Sequence, residues 1–328
     1  MILTEDLLKD LISIPSTSGN EIAVAEYIFH FLQQNNFTVE KNWIDEKRFN
    51  IIAKVGQPKI YLSAHMDTVS PFIKFSQDQE YIYGRGSCDT KASIASMLIA
   101  GINAKNQGLN NFGLIFTNGE ESNFDGIKAL IKSKTNIPYI IIGEPTSCCP
   151  INGHFGILNI KVTATGKAAH TSNPQKGVNA IDLLTDSIIK IKTISFHPET
   201  PVSLVKIDGG IADNIVPDTA SAVFGLRPSP NDKNDYQKLF NSAINHQNIK
   251  IETLIAVPPI NFPIPKELNF LGQGQTVKYF TELSFCQNGL VLGPGDIKYA
   301  HGPDEKLPKS ELSKAVGIYQ KIIQKYCF

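Results

Sequence analysis

Seven acids and imidazoles stand where a metal site could be assembled: His65, Asp67, Asp89, Glu120, Glu121, Glu144 and His301. His65 and Asp67 follow the apolar run Ile60-Tyr61-Leu62-Ser63-Ala64. Glu120 and Glu121 come soon after Gly113-Leu114-Ile115-Phe116-Thr117, and Glu144 comes after Tyr139-Ile140-Ile141-Ile142-Gly143. Asp89 lies in the polar turn that begins at Gly84-Arg85-Gly86, and His301 lies in a Gly/Pro-rich loop over 293–305. The five cysteines are an odd set without C-x-x-C spacing, so metal held by cysteine is not suggested. Two imidazoles with several carboxylates suit Zn²⁺ or Co²⁺, and the number of donors suits two ions better than one. A dinuclear site with its ions about 3.5–4 Å apart needs a bridging carboxylate, terminal ligands for each ion and a free base. Any one of these motifs alone has a plainer reading, such as a core histidine beside a turn cap or a pair of solvated acids. Their repetition at the ends of apolar runs is what argues for chemistry.

Short apolar runs that each stop at an acid or histidine read as buried strands of an α/β sheet, with the site along its carboxyl edge. Strands are expected at 50–55, 60–64, 113–117 and 139–143. Thr4, Glu5 and Asp6 start a helix with Leu7, Leu8, Leu11 and Ile12 on one face, and Asn20 is the expected cap of a second. A helix of small and apolar residues follows Lys91, and another spans 309–326. From Gly156 the pattern becomes β-α-β-β-α-β, with strands at 157–164, 202–207, 220–226 and 250–257, as in a small α+β domain inserted into the first. The expected division is therefore 1–155 with 258–328, and 156–257.

The length of 328 residues favours two domains. Lys plus Arg equal Asp plus Glu at 31 each, so no overall charge attracts nucleic acid or an anionic membrane. The acidic N-terminal segment differs from a secretion signal, and no apolar run reaches the ~18 residues of a membrane span, which leads to the expectation of a cytoplasmic enzyme.

The motifs together resemble the M20-type dinuclear amidohydrolases and peptidases, among them acetylornithine deacetylase, succinyl-diaminopimelate desuccinylase, aminoacylases and carboxypeptidases. The matching stretches are His65-Met66-Asp67-Thr68-Val69, Gly84-Arg85-Gly86 through Lys91, Glu120-Glu121, Gly143-Glu144-Pro145-Thr146, the segment from Gly166 to His170 with Pro174 and Gly177-Val178-Asn179-Ala180, Asn214-Ile215-Val216-Pro217-Asp218, and the loop ending at His301. The resemblance implies a mixed-sheet, zinc-peptidase-like catalytic domain carrying a ferredoxin-like lid through which two copies dimerise. It further implies that Asp89 bridges the ions, that His65 and Glu144 complete one and Glu121 and His301 the other, and that Asp67 fixes the His65 tautomer from behind. Glu120 would be the general base, and His170, reaching into the partner's site, would stabilise the oxyanion. Arg227, with Asn214 assisting, is a candidate clamp for the substrate's α-carboxylate.

The segments 279–285, 292–305 and 143–147 look most like the acetylornithine deacetylase branch, with an N-acyl amino acid as the expected substrate. Acetylcitrulline, acetyllysine, succinyl-diaminopimelate and peptide hydrolysis are the alternatives, and a binding module without chemistry is a distant one. The chain departs from the family pattern at Ala92-Ser93 and Gly119, and it is short; none of these changes touches an expected ligand.

Overall fold

The computed structural model describes residues 3–327. The chain forms two compact units: one takes in the chain up to Asn152, Phe262–Gln275 and the chain from Thr281, and the other is Gly153–Asn261 with Thr276–Phe280.

In the first unit, six strands lie side by side in the order Thr38–Trp43, Phe49–Val55, Phe112–Thr117, Ile60–His65, Ile140–Ile142, Gly289–Val291. The first two pairings are antiparallel and the next three parallel, so the sheet is mixed. Ile60–His65, Phe112–Thr117 and Ile140–Ile142 are buried along their whole length, which is why they read as unbroken apolar runs. His65 stands opposite Thr117, and Ser63 opposite Ile142, so three parallel strands end at one edge of the sheet. That edge receives His65, the turn with Glu120 and Glu121, and Glu144.

The helix Lys91–Asn106 is built mostly of Ala, Ser, Ile and Gly and is buried on nearly every side between the sheet and the helices Thr4–Ser13 and Lys309–Cys327. Asn20 does not cap the helix Ile22–Gln34. Glu21 occupies the cap position, and its buried carboxylate turns back to accept from the Gly19 N–H at 2.8 Å. The strand Thr38–Trp43 was not expected: it lies at the sheet margin with a half-exposed pattern, TVEKNW, that carries little hydrophobic signal.

The second unit is a four-stranded antiparallel sheet in the order Val202–Gly209, Thr219–Leu226, Ile157–Thr165, Ile249–Val257. Alternate residues Ile160, Val162, Ala164, Ala222 and Phe224 form a core with the helices Ala180–Lys192 and Tyr236–Ala243. Both helices have side-chain caps, Asn179 accepting from Ile181 N–H and Asp235 from Lys238 N–H. The unit reaches beyond 156–257 because Gly153 and His154 pair with Asn261 and Ile260, and the Phe155 N–H donates to the Val277 carbonyl. Its edge strand Val202–Gly209 leaves Leu204, Val205 and Ile207 exposed, with Ile211 beyond it. Among the described residues no helix is long and apolar enough to cross a membrane.

Candidate active site

At the carboxyl edge of the sheet, Asp89 faces two histidines with its two oxygens. Its Oδ1 lies 3.0 Å from His65 Nε2, and its Oδ2 lies 3.2 Å from His301 Nε2. Glu144 Oε1 approaches His65 Nε2 at 3.8 Å, and Glu121 Oε1 approaches His301 Nε2 at 2.7 Å. The donors therefore fall into two groups that share Asp89. Ligand atoms of His65, Asp89 and Glu121 all lie within 4.8 Å of one another. The donor set fits divalent cations, and Glu144 Oε1 adds a second reason: it is buried and has no hydrogen-bond partner among the described residues.

The turn that carries both glutamates is held by Asp67. Its carboxylate accepts from the backbone N–H of Glu120 at 3.1 Å, from that of Glu121 at 3.1 Å and from Ser18 Oγ at 2.8 Å. On His65, Nδ1 donates to the backbone carbonyl of Asp67 at 2.9 Å, whereas the Asp67 carboxylate is 3.5 Å away. His65 Nδ1 thus faces both the carbonyl and the carboxylate of Asp67, and the same carboxylate organises the Glu120-Glu121 turn. Gly119 enters this turn at φ +73°, where a Cβ would be strained and would meet Asp125 Oδ1 at 2.1 Å, so a side chain here would have to displace the Asp125 carboxylate.

The cluster gathers several buried carboxyl groups around two imidazoles. Burial, with Asp89 and Glu282 adding to it, pushes the Glu120 carboxyl up to about 8. Burial likewise raises Glu121 and Glu144. Burial works against a charged His65, but its hydrogen bonds to Asp67 and Asp89 outweigh this and hold it well above the usual imidazole range. His301 is raised to about 9, first by its hydrogen bond to Asp89. Each histidine supplies the positive charge that the carboxylates demand, which is also the role a divalent cation would take.

The remaining candidates are in the second unit. His170 is exposed, its Nδ1 2.8 Å from Ser172 Oγ, and it pairs with Ile215 next to Asn214, whose carbonyl accepts from Thr171 N–H. Arg227 is exposed at the far end of the strand Thr219–Leu226, roughly 25 Å away for eight residues at strand rise. Asn214 and Arg227 therefore do not meet within one chain to form a single clamp.

Three buried groups escaped sequence reasoning. Glu282 is 1% exposed; its Oε2 accepts from Thr117 Oγ1 at 3.2 Å, and its Oε1 has no partner among the described residues. Lys91 is also 1% exposed and donates to the carbonyls of Leu11 and Ile14. Glu305 is buried among backbone amides of the Asp89 turn. All three lie in segments matched by type, but nothing local to those segments distinguishes a buried charge from a solvated one.

Comparison with known proteins places the chain in a family. A family model described as the peptidase dimerisation domain matches residues 152–252. A probable carboxypeptidase of Aspergillus clavatus is 32% identical over 97% of this chain and 87% of its own length. Among solved structures, the aminopeptidase PepT of Bacillus cereus shares the fold at a TM-score of 0.84 and 22% identity, over 100% of both chains. A dinuclear metal-binding peptidase of the M20 family from Bacillus subtilis does so at a TM-score of 0.75 and 15% identity, over 98% of this chain and 96% of its own. The chain belongs to the M20 family of metal-dependent peptidases and amide hydrolases.

Proposed function

We propose that the protein hydrolyses the amide bond joining an acyl or peptidyl group to an amino acid with a free α-carboxylate, using a dinuclear Zn²⁺ or Co²⁺ centre. The observation that carries this reading is the division of donors around Asp89, with His65 and Glu144 on one side and Glu121 and His301 on the other. Two ions held there would supply an acidified water as nucleophile and an electrophile for the substrate carbonyl. Glu120 is adjacent to a ligand but outside both donor groups, so it is the residue to take the water's proton and deliver it to the leaving amine. Asp67 keeps Glu120 and Glu121 in their separate directions through their amides.

On the acyl side, the carboxypeptidase name of the Aspergillus relative favours a peptidyl group. The segments 279–285, 292–305 and 143–147 favour a small acyl group, with N-acetylornithine deacetylation as the second reading. Acetylcitrulline, acetyllysine and succinyl-diaminopimelate belong in the same assay. We place His170 as an oxyanion donor and Arg227 and Asn214 as carboxylate contacts. Because His170 and Asn214 lie at the opposite end of their unit from Arg227, an active site that uses all three would draw on two subunits. The match to a peptidase dimerisation domain and the exposed apolar edge of Val202–Gly209 support such a homodimer.

The test is turnover of a panel of peptides and N-acyl amino acids by metal-loaded protein, with Glu120→Gln alongside. The variant should keep both ions and lose about 10²–10⁴-fold in kcat. Wild-type turnover in the variant would remove Glu120 as the base, and no turnover of any amide in the panel would remove the substrate class.

A further inference from the structure

Glu305 lies four residues after His301 and is 1% exposed. One oxygen, Oε1, accepts three backbone N–H groups from a single turn: Gly86 at 3.0 Å, Cys88 at 2.9 Å and Asp89 at 3.0 Å. The other, Oε2, accepts from Arg85 Nη1 at 2.6 Å, and that guanidinium is itself 2% exposed. The flanking backbone is tied to the same region. Gly84 N–H donates to the Glu305 carbonyl, and Lys306–Pro308 pairs with Tyr81–Tyr83. A carboxylate that gathers three amides of one turn fixes that turn's orientation, and here the last of those amides belongs to Asp89.

The other end of the tether is His301. Only Gly302, Pro303 and Asp304 separate it from Glu305. His301 Nε2 faces Asp89 Oδ2 at 3.2 Å and Glu121 Oε1 at 2.7 Å. Asp89, which both ion positions share, and His301, which serves one of them, are therefore linked through Glu305: by a hydrogen bond to the Asp89 amide on one side and by three intervening residues on the other. His65 and Glu144 follow directly from the ends of their own strands, and neither is hydrogen-bonded to Glu305.

We propose that Glu305 is a positioning residue for the ion held by Asp89, Glu121 and His301, fixing the spacing between the Asp89 turn and the His301 loop. This rests on the dinuclear reading above. Asp89 is shared by both ion positions, whereas His301 and Glu121 serve only one, so altering the spacing between the Asp89 turn and the His301 loop weakens that position more than the one completed by His65 and Glu144; a side chain that served only to hold the fold would affect both alike.

The experiment is titration of metal-free wild type and Glu305→Gln with Co²⁺, followed by calorimetry and visible absorption, with melting curves to establish folding. Glutamine keeps the shape and one accepting oxygen but turns an N–H₂ towards Arg85. A second variant, with one glycine inserted between Gly302 and Pro303, keeps every ligand and Glu305 and lengthens only the tether. In both variants one equivalent of Co²⁺ should bind within about threefold of wild type and the other about 10–100-fold more weakly, with a changed visible spectrum for that equivalent. Wild-type affinity for both equivalents, or equal weakening of both, in a folded variant overturns the proposal. Should Glu305→Gln fail to fold, the insertion variant decides by the same criteria. Wild type taking up a single equivalent overturns the dinuclear reading and the proposal with it, an outcome read before any variant is compared.

Discussion

At the scale of the residue, Glu144 and Glu282 stand out as buried acids with one oxygen that has no hydrogen-bond partner among the described residues. Glu282 shows the energetic consequence most directly. Burial raises its carboxyl from 4.5 to about 7, with Asp67 adding to the effect and His65 opposing it. A carboxyl whose folded value lies above its unfolded value binds more protons when folded, so its contribution to stability is complete below about pH 4.5 and is lost as pH rises through about 7. Glu282→Gln should therefore stabilise the metal-free protein at pH 8 by something on the order of 3 kcal/mol and have little effect at pH 4, which denaturant titrations at the two pH values would reveal. Equal effects at both would show that Glu282 does not carry the charge cost assigned to it.

At the scale of the element, the site depends on how strands and helices end. The parallel strands deliver His65, the Glu120-Glu121 turn and Glu144 to one edge because their register is set by full burial on both faces. The helix Lys91–Asn106, which starts two residues after Asp89, is held in place at its first residue: Lys91 Nζ reaches the carbonyls of Leu11 at 2.9 Å and Ile14 at 2.8 Å, at the end of the helix Thr4–Ser13. Burial lowers this ammonium to about 7, and Glu305 partly offsets that. Lys91→Met would leave two carbonyls without their donor while relieving a buried charge, for a net loss of about 2 kcal/mol measurable by urea unfolding. An unchanged midpoint would mean that the helix start is fixed by packing alone.

At the scale of the whole molecule, the dimerisation domain raises the question of whether one chain suffices for turnover. If His170 acts on the partner's site, neither His170→Ala nor Glu120→Gln should be active alone, and mixing them should restore part of the activity. In a random mixture about half of the dimers are mixed, and each has one site with both groups intact, so recovery near a quarter of wild type is expected. Absence of recovery after subunit exchange has been verified by sedimentation of tagged subunits would place His170 outside the reaction.

The order of chemistry-bearing residues along the chain, the strands that lead to them and the α+β character of the second unit were all legible in the sequence, because each is a local pattern: an apolar run ending in a donor, or partial alternation between turn signals. The family resemblance added roles to those positions. Only tertiary structure decided which histidine faces which oxygen of Asp89, and that Asp67 serves the Glu120-Glu121 turn through backbone amides. It also decided that Glu282, Lys91 and Glu305 are buried and that Asn214 and Arg227 lie at opposite ends of their unit. The reason is physical. The hydrogen bond that Glu305 accepts from the Asp89 amide links positions more than two hundred residues apart, and the burial of a charge depends on every element packed around it. No window of sequence contains either quantity.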